Sequence, residues 1–470
     1  MNQTVDDLHA RVAGEPSPWR MLLSTVRVAL RVEVLLLAAL GAVASAAGWR
    51  IVDEIFYPPK YQAASDSAAP LVEALGQWPG GRGARPVLKS VPRADGLPLL
   101  AEVQPANPIG LVRYLWAASP VRHVWTRISD PVAQFWQDGL KFRGGAALIL
   151  GGAFTLLVWA LLGGAISRIA AVRLARDERV GMGDAVKFAR QHVLAYMAAP
   201  LFMLLIVVVL TLLVLVPGLL MRLDLGAAVV ALFWPLALLL AFVMAFVLLG
   251  LWIGWPLLWG AISTEACDFF DAVPRAFSYV YQRPLRLVWY VVVVVVLGTV
   301  AWLFVGGFAE GVINLSYWSA SWGTGEARMN DLRGAVTVAV EPGLEAPLQG
   351  AAGDQPADRG TSLGVATWLL RLWEACIRTI ATAFAYSFFW VAASAIYLLR
   401  RYDVDQTEPD DIVFTDEFET PPGDQPLGAE EATAPYVPTG TSDGAQSEAA
   451  QPDQDVAPEE GDSGADEPRG

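Results

Sequence analysis

The side chains that could do chemistry in this chain gather in two places, each wedged between long apolar stretches. Arg168, Arg173 and Arg176 precede Asp184-Ala185-Val186, and Asp271-Ala272-Val273 precedes Arg275 and Arg283. Arginines just beyond an apolar segment suit anionic lipid headgroups, where each gains about 1 kcal/mol. Asp184 and Asp271 allow two uses. They could form a paired acidic site, or each could be the N-cap of a short amphipathic helix, its carboxylate accepting bonds from free first-turn amides. Capping is the expected role, with Pro274 in the first turn of the second helix, where its missing N–H costs nothing.

Other chemical patterns are missing from the sequence. The two cysteines, Cys267 and Cys376, make neither a disulfide framework nor a ligand cluster. His9, His123 and His192 are far apart, and His192 reads as an interfacial residue rather than a ligand. There is no Gly-rich phosphate loop, no His-Glu-x-x-His and no Gly-x-Ser-x-Gly elbow. The expectation is a protein with no cofactor, no metal, no enzymatic activity and no nucleic-acid partner.

The elements that must hold these residues are membrane helices. The chain is 54% hydrophobic, and its apolar residues are concentrated in blocks of the ~20 residues that a transmembrane helix needs. The reading is an all-α, polytopic transmembrane helix bundle of about six spans, with a parallel internal repeat and a disordered tail. A polar leader, 1–27, precedes a first span at 28–52. Ala44-Ser45-Ala46 resembles a signal-peptidase site, but Trp49, Phe56 and Tyr57 suit the interface belt of a signal anchor, the preferred reading. Residues 53–143 form an extracytoplasmic loop. In its second half Trp116, Trp125 and Trp136 alternate with Arg113, Arg122 and Arg127, a mix that suits helices lying on a membrane surface and equally a small packed domain.

Spans two to five occupy 144–310. The fourth apolar stretch, Leu225–Ile262, covers 38 residues, about 57 Å as a helix against a ~30 Å hydrocarbon core. It reads as one long bent helix rather than two spans. A loop at 311–362 leads to 363–401, an amphipathic segment plus the sixth span. In that segment Glu374 can pair with Arg371 or Arg378. Thr382, Tyr386, Ser387, Ser394 and Tyr397 serve as interhelical hydrogen-bonding groups. Residues 402–470 hold 20 acidic residues and one basic, a net −19, so residues 1–401 carry 32 basic against 27 acidic side chains, a net +5. Such a tail lacks the apolar content to fold.

No span has a charge near its centre, which argues against proton relays and voltage sensing. With six spans, the Lys/Arg clusters around Arg20–Arg31, Arg168–Arg190, Arg275–Arg286 and Arg400-Arg401 all fall on one side. The positive-inside rule then puts both termini in the cytoplasm of a bacterial inner membrane.

A repeat lies within this frame. Gly164-Ala165-Ile166-Ser167 and Gly260-Ala261-Ile262-Ser263 each end a span ahead of one of the two Asp-Ala-Val motifs, at offsets of 20 and 11 residues. One copy therefore holds an insertion, and the duplication is parallel. The strings Gly164–Ala171, Ala276–Pro284 and Ser394–Arg401 together resemble a family of uncharacterised bacterial multi-pass membrane proteins. That resemblance covers the second to sixth spans and implies a membrane location and the repeat, with no activity attached.

The leading expectation is a structural or interaction protein whose partners are membrane lipids and either a helix-mediated oligomer or another membrane protein. Gly250-x-x-x-Gly254 and Gly307-x-x-x-Gly311 offer small-residue faces for this. The alternative is a permease or lipid-handling protein without ion coupling, its path running between the duplicated halves.

Overall fold

A computed structural model describes residues 18–58, 66–79, 115–338, 361–408 and 410–412. The leader before residue 18, most of the loop halves at 80–114 and 339–360, and the acidic tail beyond residue 412 lie outside the described residues. In chain order the helices are α1 (Pro18–Ala29), α2 (Val32–Phe56), α3 (Ala69–Leu75), α4 (Pro120–Ala133), α5 (Phe142–Arg176), α6 (Met182–Gln191), α7 (Val193–Leu220) and α8 (Asp224–Leu232). They continue as α9 (Trp234–Glu265), α10 (Phe269–Tyr281), α11 (Pro284–Thr324), α12 (Glu326–Val338) and α13 (Thr361–Asp405). Among the described residues no strand occurs, and α2, α5, α7, α9, α11 and α13 are long and apolar enough to cross a membrane.

How these six helices are buried fits lipid rather than water as their solvent. The two most apolar, α7 and α9, are the least covered, with 17% and 11% of their most apolar stretch buried, whereas the least apolar, α13, has 94% buried. In water the most apolar helix would be driven inside. Lipid tails remove that drive, so helices associate by close packing and polar contacts. The protein is an all-α, multi-pass membrane bundle built around α13.

The sequence pattern of α13 explains its central place. Ser387 donates to the carbonyl of Ala29 at 2.9 Å, Ser394 to that of Ser167 at 3.4 Å, and Thr382 to that of Pro79 at 3.0 Å. Tyr397 donates to Glu265 at 2.6 Å. The polar residues inside this span therefore each bond a different neighbour. Its rings do the rest. Trp390 stacks on Trp259 at 4.4 Å and Tyr386 on Trp159 at 4.7 Å. Glycines on the surrounding helices let these rings approach. A Cβ on Gly163 would stand 2.8 Å from Trp390, and one on Gly298 2.4 Å from Phe388.

Charge brackets this core. On α13 the buried Arg378 and Arg400 are 22 positions apart, about 33 Å along a helix, close to the ~30 Å hydrocarbon thickness. The Arg400 side is called the basic end below.

Several elements differ from the sequence expectation. The first apolar block divides at Leu30-Arg31 into α1 and α2, with Arg31 extended between them. Ala44-Ser45-Ala46 lies inside α2, where Ser45 and Ala46 are buried. The second span runs nearly three turns past Ile166, because Arg168 finds partners on neighbouring helices in Ser263 and Phe188 and Arg173 pairs with Asp177. The fourth stretch forms the short helix α8 and one spanning helix, α9, with a break at Phe233 just before Pro235. Neither Asp184 nor Asp271 is an N-cap. Gly181 and Asp268 hold those positions, and each Asp sits in the first turn. Pro274 consequently falls in the second turn of α10, beyond the free amides, which end at Asp271.

The aromatic–basic half of the first loop departs furthest from a surface location. Helix α4 inserts into the bundle from the end opposite the basic one, with Val124 fully buried. Its outer end is tied down where Arg127 donates to Leu75 O at 2.8 Å and Gln134 to Ser67 O at 2.8 Å. Its inner end meets Tyr386 through His123, ring centroids 6.5 Å apart, and Leu115 O accepts from Thr299 at 3.2 Å. Tyr386 lies 8 positions from Arg378 and 14 from Arg400, so this loop segment reaches well inside the apolar layer. Residues 115–118 are helical too, and the break at the buried Ser119 is tolerated because protein surrounds it.

Candidate interaction site at the basic end

The end of α9, the amphipathic helices α6 and α10, the start of α11 and the end of α13 converge at the basic end. Glu265, the last residue of α9, pairs with Arg275 of α10 and with Arg401 at 3.3 Å, besides accepting from Tyr397. Arg400 is fully buried and donates twice to Tyr279 O, at 2.7 and 3.1 Å. It also reaches Asp403 at 3.4 Å, which in turn accepts from Arg286 at 2.8 Å and Tyr290 at 3.0 Å. Tyr279 donates to Asp405. Buried charges persist only when paired and hydrogen-bonded, and Glu265 and Asp403 are each shared between two arginines and a tyrosine.

The two Gly-Ala-Ile-Ser copies meet here. Arg168, just past the first, donates to the carbonyl of Ser263 in the second at 2.8 Å, and its guanidinium lies 4.4 Å over the ring of Phe188 on α6. Tyr196 bonds Ser263 Oγ at 2.8 Å, and Trp259 donates to Tyr196 O at 3.1 Å. The copies also end alike, with a left-handed residue closing each span, Asp177 at φ 55° and Ala266 at φ 52°. That match shows where the two segments differ in length. Nine helical residues follow Ser167 before its turn and two follow Ser263, while the linkers to Asp184 and Asp271 differ by two. The first segment is therefore longer by about two helical turns, at the end of α5.

The other residues with chemical potential are dispersed. Arg173 pairs with Asp177 at 3.5 Å on its own helix end. Arg176 is exposed and donates to Asp410 O at 2.6 Å and Ile412 O at 3.4 Å. Asp184, Asp271 and Arg283 are exposed, and the two Asp residues stand on separate helices. Arg275 has its carboxylate in Glu265. Asp271 still has an electrostatic effect. Burial first, then Asp271 and Asp268, push the thiol of Cys267 in the intervening turn up to about 11. Among the described residues no group of three or more His, Cys, Asp or Glu side chains is arranged to hold a metal ion.

Of the carboxylates and tyrosines gathered here, sequence reasoning singled out Tyr397 as an interhelical group but missed the others. Glu265, Tyr279, Tyr290, Asp403 and Asp405 are separated by up to 140 positions, and no local pattern joins them. One signal was available: Arg400 and Asp403 stand at i, i+3, a helical pair spacing.

A second cluster closes the opposite end. Arg378 pairs with Glu374 at 2.6 Å and Glu310 at 2.9 Å, and Tyr317 donates to Glu374 at 2.6 Å. Of the two small-residue faces, Gly250 and Gly254 are taken up within the molecule by Phe277 and Val280 of α10, whereas nothing approaches Gly307 or Gly311 within 4 Å.

Comparison with family models, with curated proteins and with solved structures gives no match to this chain.

Proposed function

We propose that the protein is a non-enzymatic structural or interaction protein of the bacterial cytoplasmic membrane, working by binding other membrane components. Its basic end and both termini face the cytoplasm, which the positive-inside rule supports. The observation that carries the reading is the filled space between the two Gly-Ala-Ile-Ser copies. A permease built from duplicated halves needs its path there. Rings of Trp159, Trp259, Trp390 and Tyr196 occupy that space instead, and the Arg168–Ser263 bond ties the copies together. Glu265 and Asp403 at the basic end each already have two arginines, which suits a rigid lock better than proton transfer.

The surface for partners is the outer part of the α7–α9 hairpin. From Leu212 to Phe246 its large residues are mostly exposed, among them Leu215, Val216, Leu239 and Phe242. A photo-crosslinking residue placed at Leu212 and at Phe242 in cells is expected to give discrete protein adducts, with lipid adducts alone refuting the interaction reading. In a protein lacking its two native cysteines, Ser394→Cys should resist a membrane-impermeant thiol reagent. Ready labelling would reveal a wet path and favour the permease. A reporter fused after Gly470 should report cytoplasm.

A further inference from the structure

Where the chain leaves α13 it does not run straight into solvent. Gln406 adopts φ 56°, and the chain turns back across the basic end until Ile412 is 3% exposed against Ala171, Val172, Ala175 and Val180. Arg176 donates to the carbonyls of Asp410 and Ile412. Arg401, already held by Glu265, also reaches the Asp411 carboxylate at 3.2 Å and donates to its carbonyl. Four of the residues beneath this segment, Ala171, Val172, Ala175 and Arg176, belong to the extra length of α5 that the second copy of the repeat lacks. Val180 belongs to the longer linker. The extra length and the docked segment are thus two independent features that coincide.

We propose that the two added turns of α5 are a docking seat for Asp410–Ile412, and that anionic lipid headgroups compete for this seat by drawing the basic residues around it to the membrane surface. The seat has the form of an apolar socket with a cation on either side, so its occupant must offer one branched apolar side chain flanked by carbonyl and carboxylate oxygens. The segment Asp410-Asp411-Ile412 does so. Just outside, Arg179, Lys187 and Arg190 are exposed. The chain beyond residue 412 adds 15 acidic residues and one basic. While the seat is filled, the Asp411 carboxylate is held against Arg401. An anionic leaflet attracts the exposed cations, at about fivefold in affinity per residue, so lipid charge and tail docking oppose each other. This device does not depend on the protein having a protein partner.

The test uses the full chain in lipid nanodiscs, with the native cysteines replaced and spin labels at Glu178→Cys and Glu408→Cys, both exposed positions outside the seat. In neutral phosphatidylcholine the distance distribution should be single and narrow, and Ile412→Asp should broaden it while the labelled protein keeps its elution volume. A broad distribution in the unaltered seat overturns the docking. Replacing about a third of the lipid by phosphatidylglycerol should shift the population toward the broad form by fivefold or more, and Lys187→Gln with Arg190→Gln should reverse that shift. Distances that ignore lipid charge overturn the competition, and the docking result still stands or falls on the neutral bilayer alone.

Discussion

Adding one methyl group at Gly260 should loosen the bundle, whereas the same change at Gly307 should not. A Cβ on Gly260 would sit 2.6 Å from Tyr397 Cβ and 2.8 Å from its Cγ. Carbon atoms in contact prefer ~3.5–4.0 Å. Tyr397 Cβ is fixed to its own backbone, so no rotamer relieves the clash, and α9 and α13 must part by about 1 Å. Overpacking of that kind costs ~1–3 kcal/mol, and replacing Gly by Ala inside a helix returns up to ~1 kcal/mol. The expected net loss for Gly260→Ala is about 1–2 kcal/mol, with the Tyr397–Glu265 bond stretched as a consequence. Gly307 has open space around its Cβ position, so Gly307→Ala keeps the helix gain without the clash. Thermal unfolding in detergent, followed by tryptophan emission, reads the difference, because separation of the helices opens the Trp259–Trp390 stack. A Gly260→Ala protein that melts at or above the wild-type temperature, or below which Gly307→Ala falls, would refute the close approach.

Three further outcomes follow from the same structure. Asp403→Asn should destabilise the bundle by about 3–5 kcal/mol, since it strands the buried Arg400, and Arg400→Met combined with Asp403→Leu should cost less than the single change in the same melting assay. Val124→Asp, which places a carboxylate on the buried face of α4, should abolish a folded elution peak, whereas Trp136→Ser at the exposed end should leave it intact. If α4 lay on a membrane surface, the two changes would be similarly mild. The Cys267 thiol, raised from 9.0 to about 11, should carry about a hundredth of the thiolate of an ordinary cysteine near neutral pH and react correspondingly slowly with maleimide. Its folded-state value is the higher one, so this contribution to stability is whole below pH 9 and is lost between pH 9 and about 11. A thiol that labels at the rate of a free cysteine at pH 7.5 contradicts this.

The six spans were readable because length and apolarity are local properties, and the polar residues of α13 were readable as interhelical groups for the same reason. Their number marks the inner helix in retrospect, since Tyr386, Ser387, Ser394 and Tyr397 would be wasted facing lipid. What stayed hidden depends on distant partners. Nothing near Trp125 or His123 says that their helix enters the bundle, because its amphipathic pattern fits a membrane surface as well as a cleft between α11 and α13. The extension of α5 was obscured by Arg168, a charge that reads as a span end until Ser263 and Phe188 are seen to receive it. The capping role of Asp184 and Asp271 was off by three positions, since Gly181 and Asp268 serve equally well and the sequence does not rank them. Among the candidate site residues, Arg168 meets the second motif, Arg275 meets Glu265 just beyond it, and Arg176 meets the chain after α13. Asp184, Asp271 and Arg283 stay at the surface.

The place of α13 also bears on biogenesis. Five spans precede it in the chain, so at the moment they enter the bilayer the rod they are shaped around has not been made. Trp159, Trp259 and Trp302 must then wait among lipid tails with their later neighbours missing. The rod that completes them is the least oily of the six and has the weakest claim of its own on the hydrocarbon. Its entry draws on the half-built ring already there, which makes the synthesis of α13 the step at which this bundle commits to its final form.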